Sequence, residues 1–453
     1  MPARMPTASV PRTVAERPYI PRIIDRELDL LLSGLGAVLL EGAKAVGKSA
    51  TAGRRAARTL RLDRPAVVDV VRAAPEAALD PPHPVFLDEW QHVPAVWDAL
   101  RHRIDDDPTP GLALLAGSAL LPIDARPRHS GAGRIVVRRM RPLAMSERLA
   151  ADAVPAAERG TVSVAALLAT GARPPLAGTS PWSLADYARE IVASGFPAIR
   201  PLAAALRTAQ LDAYVEHLVT RDVRDAGGTT PDPAAIRRTL QVFAAATATS
   251  TSLEKLRTIA AAGDATPPAK STMLRHRDVL ERLHILDAIP GWAPAGTALA
   301  RLGVAPKHHL VDPALAAHLL GIDERALLDG ESPPLADAVP AVRDGGLFGA
   351  LFESLVMQSL QTYAQATGST LAHLRTHRGD HEVDAMLVRR DQRVVACEVK
   401  LAATIDDRDV RHLRWLREAL GDRLLDAVVI TTGPAAYRRP DGIGVIPAAM
   451  LVP

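Results

Sequence analysis

The segment GAKAVGKS at residues 42–49 has the residue types and spacing of a phosphate-binding loop. It lies between a short apolar stretch and a helical pattern, the context that the motif G-x-x-x-x-G-K-[ST] requires. Its glycines let backbone N–H groups face the phosphates, while Lys48 would reach the β- and γ-phosphates and Ser49 would bind Mg²⁺. A structurally neutral glycine-rich turn is the alternative. The predicted nucleotide-binding residues are Gly42, Ala43, Lys44, Ala45, Val46, Gly47, Lys48, Ser49, Ala50 and, further along, Ser118.

Two adjacent acids, Asp88 and Glu89, end the next apolar stretch at residues 85–87. In a phosphoryl-transfer site, Asp88 would hold Mg²⁺ directly or through water, and the catalytic Glu89 would polarise the attacking water. The alternative is an acidic pair that caps the following helix. Ser118 ends a third apolar stretch, where it would sense the γ-phosphate, and the alternative is an ordinary loop serine.

Arginines are concentrated in residues 126–148. They are Arg126, Arg128, Arg134, Arg138, Arg139, Arg141 and Arg148. Arg134 follows two glycines, and we predict it as a catalytic arginine finger for the γ-phosphate of a neighbouring subunit, which makes a homo-oligomer a candidate assembly. The alternative is a basic strip that faces solvent or nucleic acid.

A second group of charged residues lies in the apolar stretches 381–388 and 394–400. If the five polar residues between them form the loop of a hairpin, Asp384 lies opposite Glu398, and Lys400 shares their face. Opposed carboxylates repel one another, and a divalent cation is the usual compensation.

This reasoning predicts a metal site formed by Asp384 and Glu398, with Glu353 of the helix at residues 347–360 as a further ligand. The two acids would hold Mg²⁺ or Mn²⁺ against a scissile phosphate, and Glu398 and Lys400 would be catalytic, the lysine by positioning or activating water. The alternative is a structural network of charges on one face of a sheet.

The elements that position these residues divide the chain into several parts. With 453 residues, the chain has room for about three domains. Short apolar stretches separated by helix-length segments predict an α/β parallel sheet around the phosphate loop. We expect a loose arm over residues 1–18, a P-loop core over 19–165, a helical domain over 182–325 and a C-terminal α/β domain over 340–453.

The middle part is typical of a winged helix-turn-helix. Helices are expected at 236–246, 253–262 and 271–283, followed by a short hairpin around a Pro-Gly turn. The third helix would be a DNA-recognition helix, and its candidate contacts are Lys270, Ser271, Thr272, Arg275, His276, Arg277 and Arg282. A protein-binding module, a rigid lid beside the core and a merely solvated basic face are the alternatives.

Composition excludes several classes of protein. Apolar residues make up 48% and charged residues 23%, which argues against disorder, and the net charge of +3 does not decide nucleic-acid binding. The single cysteine, Cys397, excludes an intramolecular disulfide framework and a cysteine-based zinc site. We expect no signal peptide, no membrane span and a cytoplasmic location.

The strings EGAKAVGKS, VFLDE, LLAGS and GRIVVRRMRPLAMSE resemble the AAA-type ATPase core of a widespread group of bacterial ATP-binding proteins. The strings PKHHLVDPALAAHLLG, LFGALFESLV, HEVDAMLV and ACEVK are similar to the domain of unknown function habitually joined to that core. The resemblance implies a RecA-like core, a winged-helix segment and a C-terminal fold similar to PD-(D/E)xK nucleases, which are related to restriction endonucleases.

In that family pattern, Asp384 matches the first acid, Glu398 and Lys400 match the E-x-K pair, and Glu353 matches a helix glutamate. Val383 stands where the family usually has proline. The leading hypothesis is an ATPase that uses ATP and Mg²⁺ and controls a DNA-directed, metal-dependent nuclease. The alternatives are a nucleotide-dependent switch with a catalytically silent C-terminal domain that binds a protein or nucleic acid, and a DNA-binding regulator.

Overall fold

The computed structural model describes residues 19–117, 131–152, 160–227, 232–261, 267–293, 305–330, 346–376 and 380–453. The predicted arm at residues 1–18 lies outside these ranges, as do Ser118, Arg126 and Arg128. Within the described ranges, no helix has the length and apolar character needed to cross a membrane.

A five-stranded parallel sheet carries the phosphate loop. Its strands are β1 (Ala37–Glu41), β2 (Arg58–Arg61), β3 (Val85–Asp88), β4 (Ala113–Ala116) and β5 (Ile135–Arg139), in the order β2-β3-β4-β1-β5. All four strand pairs are parallel, as predicted, so the loop after β1 and the acids after β3 lie at the same edge of the sheet. The sequence analysis missed β2 and β5 because both carry arginines and are only partly buried.

Helices cover both faces of this sheet. They are α1 (Ile24–Gly34), α2 (Lys48–Gly53), α3 (Pro65–Ala73), α4 (Ala95–Asp106) and α5 (Met145–Ala151), with short 3-10 turns at Glu76–Leu79 and Trp90–His92. Val38 and Leu40 of β1 belong to the core that includes Leu28 of α1, whereas Leu39 belongs to the core that includes Leu100 of α4. The alternation along β1 therefore joins two cores through one buried strand.

The middle part is mainly helical, as expected. Two short elements, β6 (Val162–Ser163) and α6 (Val164–Leu167), come before it near the end of the predicted core. The middle part itself contains α7 (Leu184–Ala193), α8 (Ala204–His217), α9 (Val223–Gly227), α10 (Pro233–Ala245), α11 (Leu253–Ala260), α12 (Lys270–Arg282), α13 (Pro313–Leu319) and α14 (Glu324–Asp329). A π-helical turn at Leu218–Asp222 joins α8 to α9. The three helices predicted before the hairpin correspond to α10, α11 and α12.

The prediction that Pro290 and Gly291 form the turn of a hairpin is wrong. Strand β7 (Leu286–Ile289) pairs antiparallel with β9 (Lys307–Leu310), while β8 (Gly291–Trp292) continues into the C-terminal sheet. Trp292 is buried in the core of that sheet. Burial of this large side chain outweighs the local turn signal of the Pro-Gly pair.

The C-terminal part is a seven-stranded sheet between two helices. Its elements are α15 (Gly346–Ala366), β10 (Thr370–Arg375), β11 (Glu382–Val388), β12 (Val394–Lys400), α16 (Arg411–Leu420), β13 (Leu424–Thr431), β14 (Tyr437–Arg438) and β15 (Gly444–Pro447), and the strand order is β14-β15-β13-β12-β11-β10-β8. Short turns occur at Gly421–Arg423 and Ala448–Met450. The last strand, β16 (Leu451–Val452), pairs with β6 near the end of the predicted core.

Candidate functional site

The phosphate loop follows β1, and α2 begins at its lysine. Gly42 and Gly47 have φ angles of +148° and +102°, which favour glycine. A Cβ atom on Gly42 would lie 2.1 Å from the carbonyl oxygen of Met140, so no larger residue fits there without moving the backbone. In the loop, Ala43 and Val46 are buried, whereas Lys44, Ala45, Ser49 and Ala50 are exposed.

Lys48 folds back onto the loop that it ends. Its Nζ donates hydrogen bonds to the carbonyl oxygens of Gly42 (2.8 Å) and Ala43 (2.9 Å), and the residue is 7% exposed. Burial lowers the pKa of Lys48 to about 8, although the nearby charges of Glu89 and Asp88 oppose that shift. The ammonium therefore lies inside the loop and close to the acids of β3.

Ser49 and Asp88 meet at the edge of the sheet. The Ser49 hydroxyl donates to Asp88 Oδ1 at 2.9 Å. Burial raises the pKa of Asp88, and the hydrogen bond from Ser49 opposes that rise. A hydroxyl beside a carboxylate at the end of a phosphate loop is a donor set that fits Mg²⁺ bound together with a nucleotide.

Glu89 has an unusual backbone conformation and a side-chain partner. Its φ of 54° places it in the left-handed region, which is strained for a residue with a side chain. Gln91 Nε2 donates to Glu89 Oε2 at 2.5 Å, while Gln91 Oε1 is buried and has no hydrogen-bond partner among the described residues. A Cβ atom on Gly117 would come within 2.5 Å of that oxygen. The amide therefore lies between the predicted catalytic glutamate and the end of β4.

Two other parts of the chain contact the loop. Arg22 Nη1 donates to the carbonyl oxygen of Val46 at 2.7 Å, and Arg22 Nε is ion-paired with the buried Glu147 at 3.0 Å. Lys44 Nζ lies 2.7 Å from Asp222, which ends the π-helical turn of the middle part. The phosphate loop is thus contacted by Arg22, which precedes it in the chain, and by Asp222 of the helical domain.

The described arginines of the predicted basic strip form ion pairs and hydrogen bonds within the chain. Arg134 is half-exposed and lies 2.7 Å from Asp105. Arg138 pairs with Glu27, Arg139 pairs with Asp287, and Arg141 Nε donates to Gln361 at 2.9 Å. Arg148 is fully buried. The arginine finger stays a prediction, and all five described members of the predicted basic strip have partners within the chain.

The C-terminal hairpin has the predicted register. Val388 pairs with Val394, and the ladder continues to Ala385 with Cys397. At the next position, Asp384 Oδ2 instead accepts a hydrogen bond from the backbone N–H of Val399 at 2.9 Å. Asp384 is 9% exposed and Glu398 is 5% exposed. The structure therefore brings the two predicted acids to the same end of the hairpin.

A lysine that the sequence analysis did not select lies among these acids. Lys307 Nζ is 3.2 Å from Asp384 Oδ1, 3.3 Å from Glu353 Oε1 and 2.8 Å from Glu382 Oε1. Lys400 Nζ contacts Glu398 Oε1 at 2.8 Å. Burial and the charge of Asp384 raise the pKa values of both Glu353 and Glu398.

These contacts do not fit a divalent cation as the acids stand. Asp384 Oδ1 and Glu353 Oε1, which would be ligands, are hydrogen-bonded to an ammonium group. In the part of the chain that is described, no group of three or more His, Cys, Asp and Glu side chains is arranged to hold a metal ion. Glu398 Oε2, in contrast, is buried without a hydrogen-bond partner in the same ranges.

The predicted recognition helix presents only part of its basic set. Lys270, Ser271, Arg275 and Arg282 are exposed on α12, and Thr272 is half-buried. His276 is buried and lies within hydrogen-bonding distance of Thr239, so the prediction that it contacts DNA is wrong for this conformation. Arg277 is ion-paired with Asp278.

Sequence reasoning missed Arg22, Gln91, Asp222, Lys307 and Glu382. Arg22 lies only three residues from the start of the described chain, and its target is a backbone carbonyl, which leaves no pattern in the sequence. Gln91 had a weak signal because it follows the acid pair by two residues. Lys307 carried a signal of another kind, since only six of the 54 basic residues are lysines.

Three family models match separate parts of the chain. A model described as an AAA domain matches residues 36–149, a domain of unknown function (DUF8612) matches 184–326, and a second domain of unknown function (DUF4143) matches 348–451. No curated protein matches the chain.

A solved structure is similar to part of the chain. It is the Walker-type ATPase PABY2304 of Pyrococcus abyssi, which is 13% identical over 65% of this chain and 94% of that chain, with a TM-score of 0.38. The AAA-domain match, together with the parallel sheet and the phosphate loop, supports an AAA-type ATPase domain at residues 36–149.

Proposed function

We propose that the chain binds ATP at the phosphate loop and hydrolyses it. The observation that carries this proposal is the meeting of Lys48, Ser49 and Asp88 at the edge of the sheet where β1 and β3 end. Mg²⁺, when bound with the nucleotide, would offset the negative charge of the phosphates. The protein is proposed to act in the cytoplasm.

The side chains divide the work of hydrolysis. Lys48 exchanges its hydrogen bonds to the carbonyl oxygens of the loop for contacts to the β- and γ-phosphates. Glu89 orients a water molecule and accepts its proton as the water oxygen attacks the γ-phosphorus. The bond between that phosphorus and the β,γ-bridging oxygen breaks, which leaves ADP and inorganic phosphate.

Two substitutions test the ATPase proposal. Lys48→Ala should lower ATP hydrolysis by at least about 100-fold, because removal of one preorganised contact to the transition state typically costs this much. Lys255→Ala is the matched control, since Lys255 is an exposed lysine of α11. Hydrolysis by Lys48→Ala at the wild-type rate would contradict the proposal.

For the C-terminal domain, the contacts favour the silent switch over the DNA-directed nuclease. The observation is that the ammonium group of Lys307 contacts Asp384 and Glu353, two carboxylates that a cleavage reaction would need to bind a metal ion. In this proposal, the nucleotide state changes how the domain contacts a partner, and DNA is not cut. If the wild-type protein cuts DNA, the nuclease hypothesis replaces the silent switch.

A cleavage assay separates these two functions. Wild-type protein incubated with plasmid DNA and Mg²⁺ or Mn²⁺ should leave the DNA intact. Nicking that is lost in both Glu398→Ala and Lys400→Ala would establish the nuclease and contradict the silent switch. Nicking that survives both substitutions would point to a contaminating enzyme.

DNA binding without cleavage is the remaining expectation for the middle part. Its support is the exposure of Arg275 and Arg282 on α12. If α12 contacts phosphates, retention of the protein on DNA should fall steeply with salt, and Arg275→Ala should weaken it. Equal retention of wild type and Arg275→Ala would remove α12 as the contact.

A further inference from the structure

A buried ammonium group lies at the place where the sequence predicts a metal ion. Lys307 is 1% exposed, and its Nζ contacts one oxygen each of Asp384, Glu353 and Glu382 within 3.3 Å. Three carboxylates around one ammonium satisfy all of its donors. The lysine is therefore the counter-ion that the opposed acids need in a buried position.

The carboxylates around Lys307 offset the cost of burying its ammonium group. Burial alone would lower the pKa of Lys307, but the charges of Asp384, Glu353 and Glu382 outweigh this effect and hold the pKa above its usual value. The ammonium group is almost completely enclosed, and its three nearest charged neighbours are carboxylates. Glu398, with one oxygen on Lys400 and the other unpartnered among the described residues, adds a further acid to the same end of the hairpin.

Lys307 does not come from the domain that it neutralises. It is the first residue of β9, within the segment that matches DUF8612, whereas the four acids lie in the segment that matches DUF4143. Its partner strand β7 carries Asp287, which is buried and ion-paired with Arg139 of β5 and, at 3.7 Å, with Arg141. One short antiparallel pair therefore contacts the ATPase core through Asp287 and the acids through Lys307.

We propose that Lys307 is the built-in cation of the acid cluster formed by Asp384, Glu353, Glu382 and Glu398, and that it excludes divalent metal ions by occupying their position. This inference rests on the silent state proposed above and explains it. A divalent cation enters the cluster only when β9 withdraws the lysine. Because Asp287 of β7 is ion-paired with Arg139 of β5, the strand pair that carries Lys307 is also attached to the ATPase core.

The test is isothermal titration calorimetry of the full-length protein with Mn²⁺ in the absence of nucleotide. Lys307→Met keeps much of the side-chain volume and removes the charge, and it should bind Mn²⁺ at least about tenfold more tightly than wild type, because two or more carboxylates lose their competing cation. The gain should disappear in Lys307→Met combined with Asp384→Asn. Lys255→Met, on an exposed lysine, should behave as wild type.

Two results would overturn the inference. One is a folded Lys307→Met protein with the Mn²⁺ affinity of wild type. The other, which does not depend on any variant, is a wild-type crystal soaked in MnCl₂ that shows anomalous density between Asp384 and Glu398 while Lys307 still contacts Asp384.

These results are separate from a failure of the proposed function. DNA cleavage by wild type would contradict the silent switch, whatever the titration shows. An unchanged Mn²⁺ affinity would contradict the role of Lys307 while leaving the absence of cleavage and the ATPase activity in place.

Discussion

At the scale of single residues, Lys48 is a group whose environment would change if a nucleotide bound at the phosphate loop. Its ammonium is buried against two carbonyl oxygens, and desolvation lowers its pKa to about 8. A bound triphosphate places negative charge beside it, which favours the charged form and raises that pKa. The lysine therefore takes up a proton on binding wherever the free protein has lost it.

The first prediction follows from the sign of this shift. Near pH 9, where Lys48 of the free protein is mostly neutral, binding of Mg²⁺–ATP should take up nearly one proton, and near pH 7 it should take up few. Calorimetry in buffers of different ionisation enthalpy measures this number. Lys44→Met, which alters the exposed lysine of the same loop, should keep the difference. Equal proton uptake at both pH values would contradict the assignment.

Gln91 is the residue that we expect to hold Glu89, the proposed catalytic base. Its amide donates to Glu89, whose left-handed backbone is the strained position in this turn. Gln91→Ala should lower kcat for ATP hydrolysis by about tenfold, because a misplaced base loses orientation, and should leave KM for ATP unchanged. Gln241→Ala, on a half-buried glutamine of α10 whose amide donates to the carbonyl oxygen of Leu319, is the control.

A double substitution distinguishes positioning from a general structural role of Gln91. If Gln91 acts through Glu89, Gln91→Ala should cause no further loss of kcat in the Glu89→Gln background. A further tenfold loss there, or a rise in KM with unchanged kcat, would show that the glutamine does something else.

At the scale of elements, the sequence correctly predicted the features that depend on residues close together in the chain. The strand that ends in Asp88, the helix that begins at Lys48 and the register of β11 with β12 all follow from residues that are close in sequence. A five-residue loop fixes the pairing of a hairpin, so the spacing of the residues was sufficient to predict that Asp384 and Glu398 lie at the same end of it.

Contacts between distant elements could not be predicted in the same way. Nothing near Lys307 in the sequence indicates that β9 brings it to acids 46 to 77 residues later, and the Pro-Gly turn gave the wrong partner for β8. The feature of the sequence that points to these contacts is the choice of lysine over arginine. In a chain that uses arginine almost everywhere, four of the six lysines, Lys44, Lys48, Lys307 and Lys400, lie at the two candidate sites. Lysine presents a compact ammonium group with three donors, whereas arginine presents a planar guanidinium, so the two are not interchangeable at such sites.

At the scale of the whole molecule, one buried arginine joins the three matched segments. Arg148 of α5 has no exposed surface, and it donates to the backbone of Glu190 in α7 at 2.7 Å and to Gln358 in α15 at 2.8 Å. Asp312, before α13, lies 3.6 Å away and completes the set. The ATPase core, the helical domain and the C-terminal domain thus share one buried polar network.

The third prediction tests whether this network holds the segments together. Arg148→Met removes the guanidinium and leaves Asp312 and Glu190 buried with fewer partners, so the free energy of unfolding should fall by about 3 kcal/mol. Asp312 keeps its hydrogen bonds from Ser194 and Gly195, and Glu190 keeps Arg200, which is why we do not expect a larger loss.

Urea unfolding followed by circular dichroism measures the effect, with Arg189→Met as the matched control. Arg189 belongs to α7, as Glu190 does, but its side chain is 57% exposed and is paired with Asp186 at 2.9 Å, so its substitution should change the unfolding free energy by less than about 0.5 kcal/mol. If the network joins the segments, Arg148→Met should also separate the transition into more than one step, because each segment then unfolds by itself. A single transition with the midpoint of Arg189→Met would show that the apolar contacts between the segments are sufficient without the arginine.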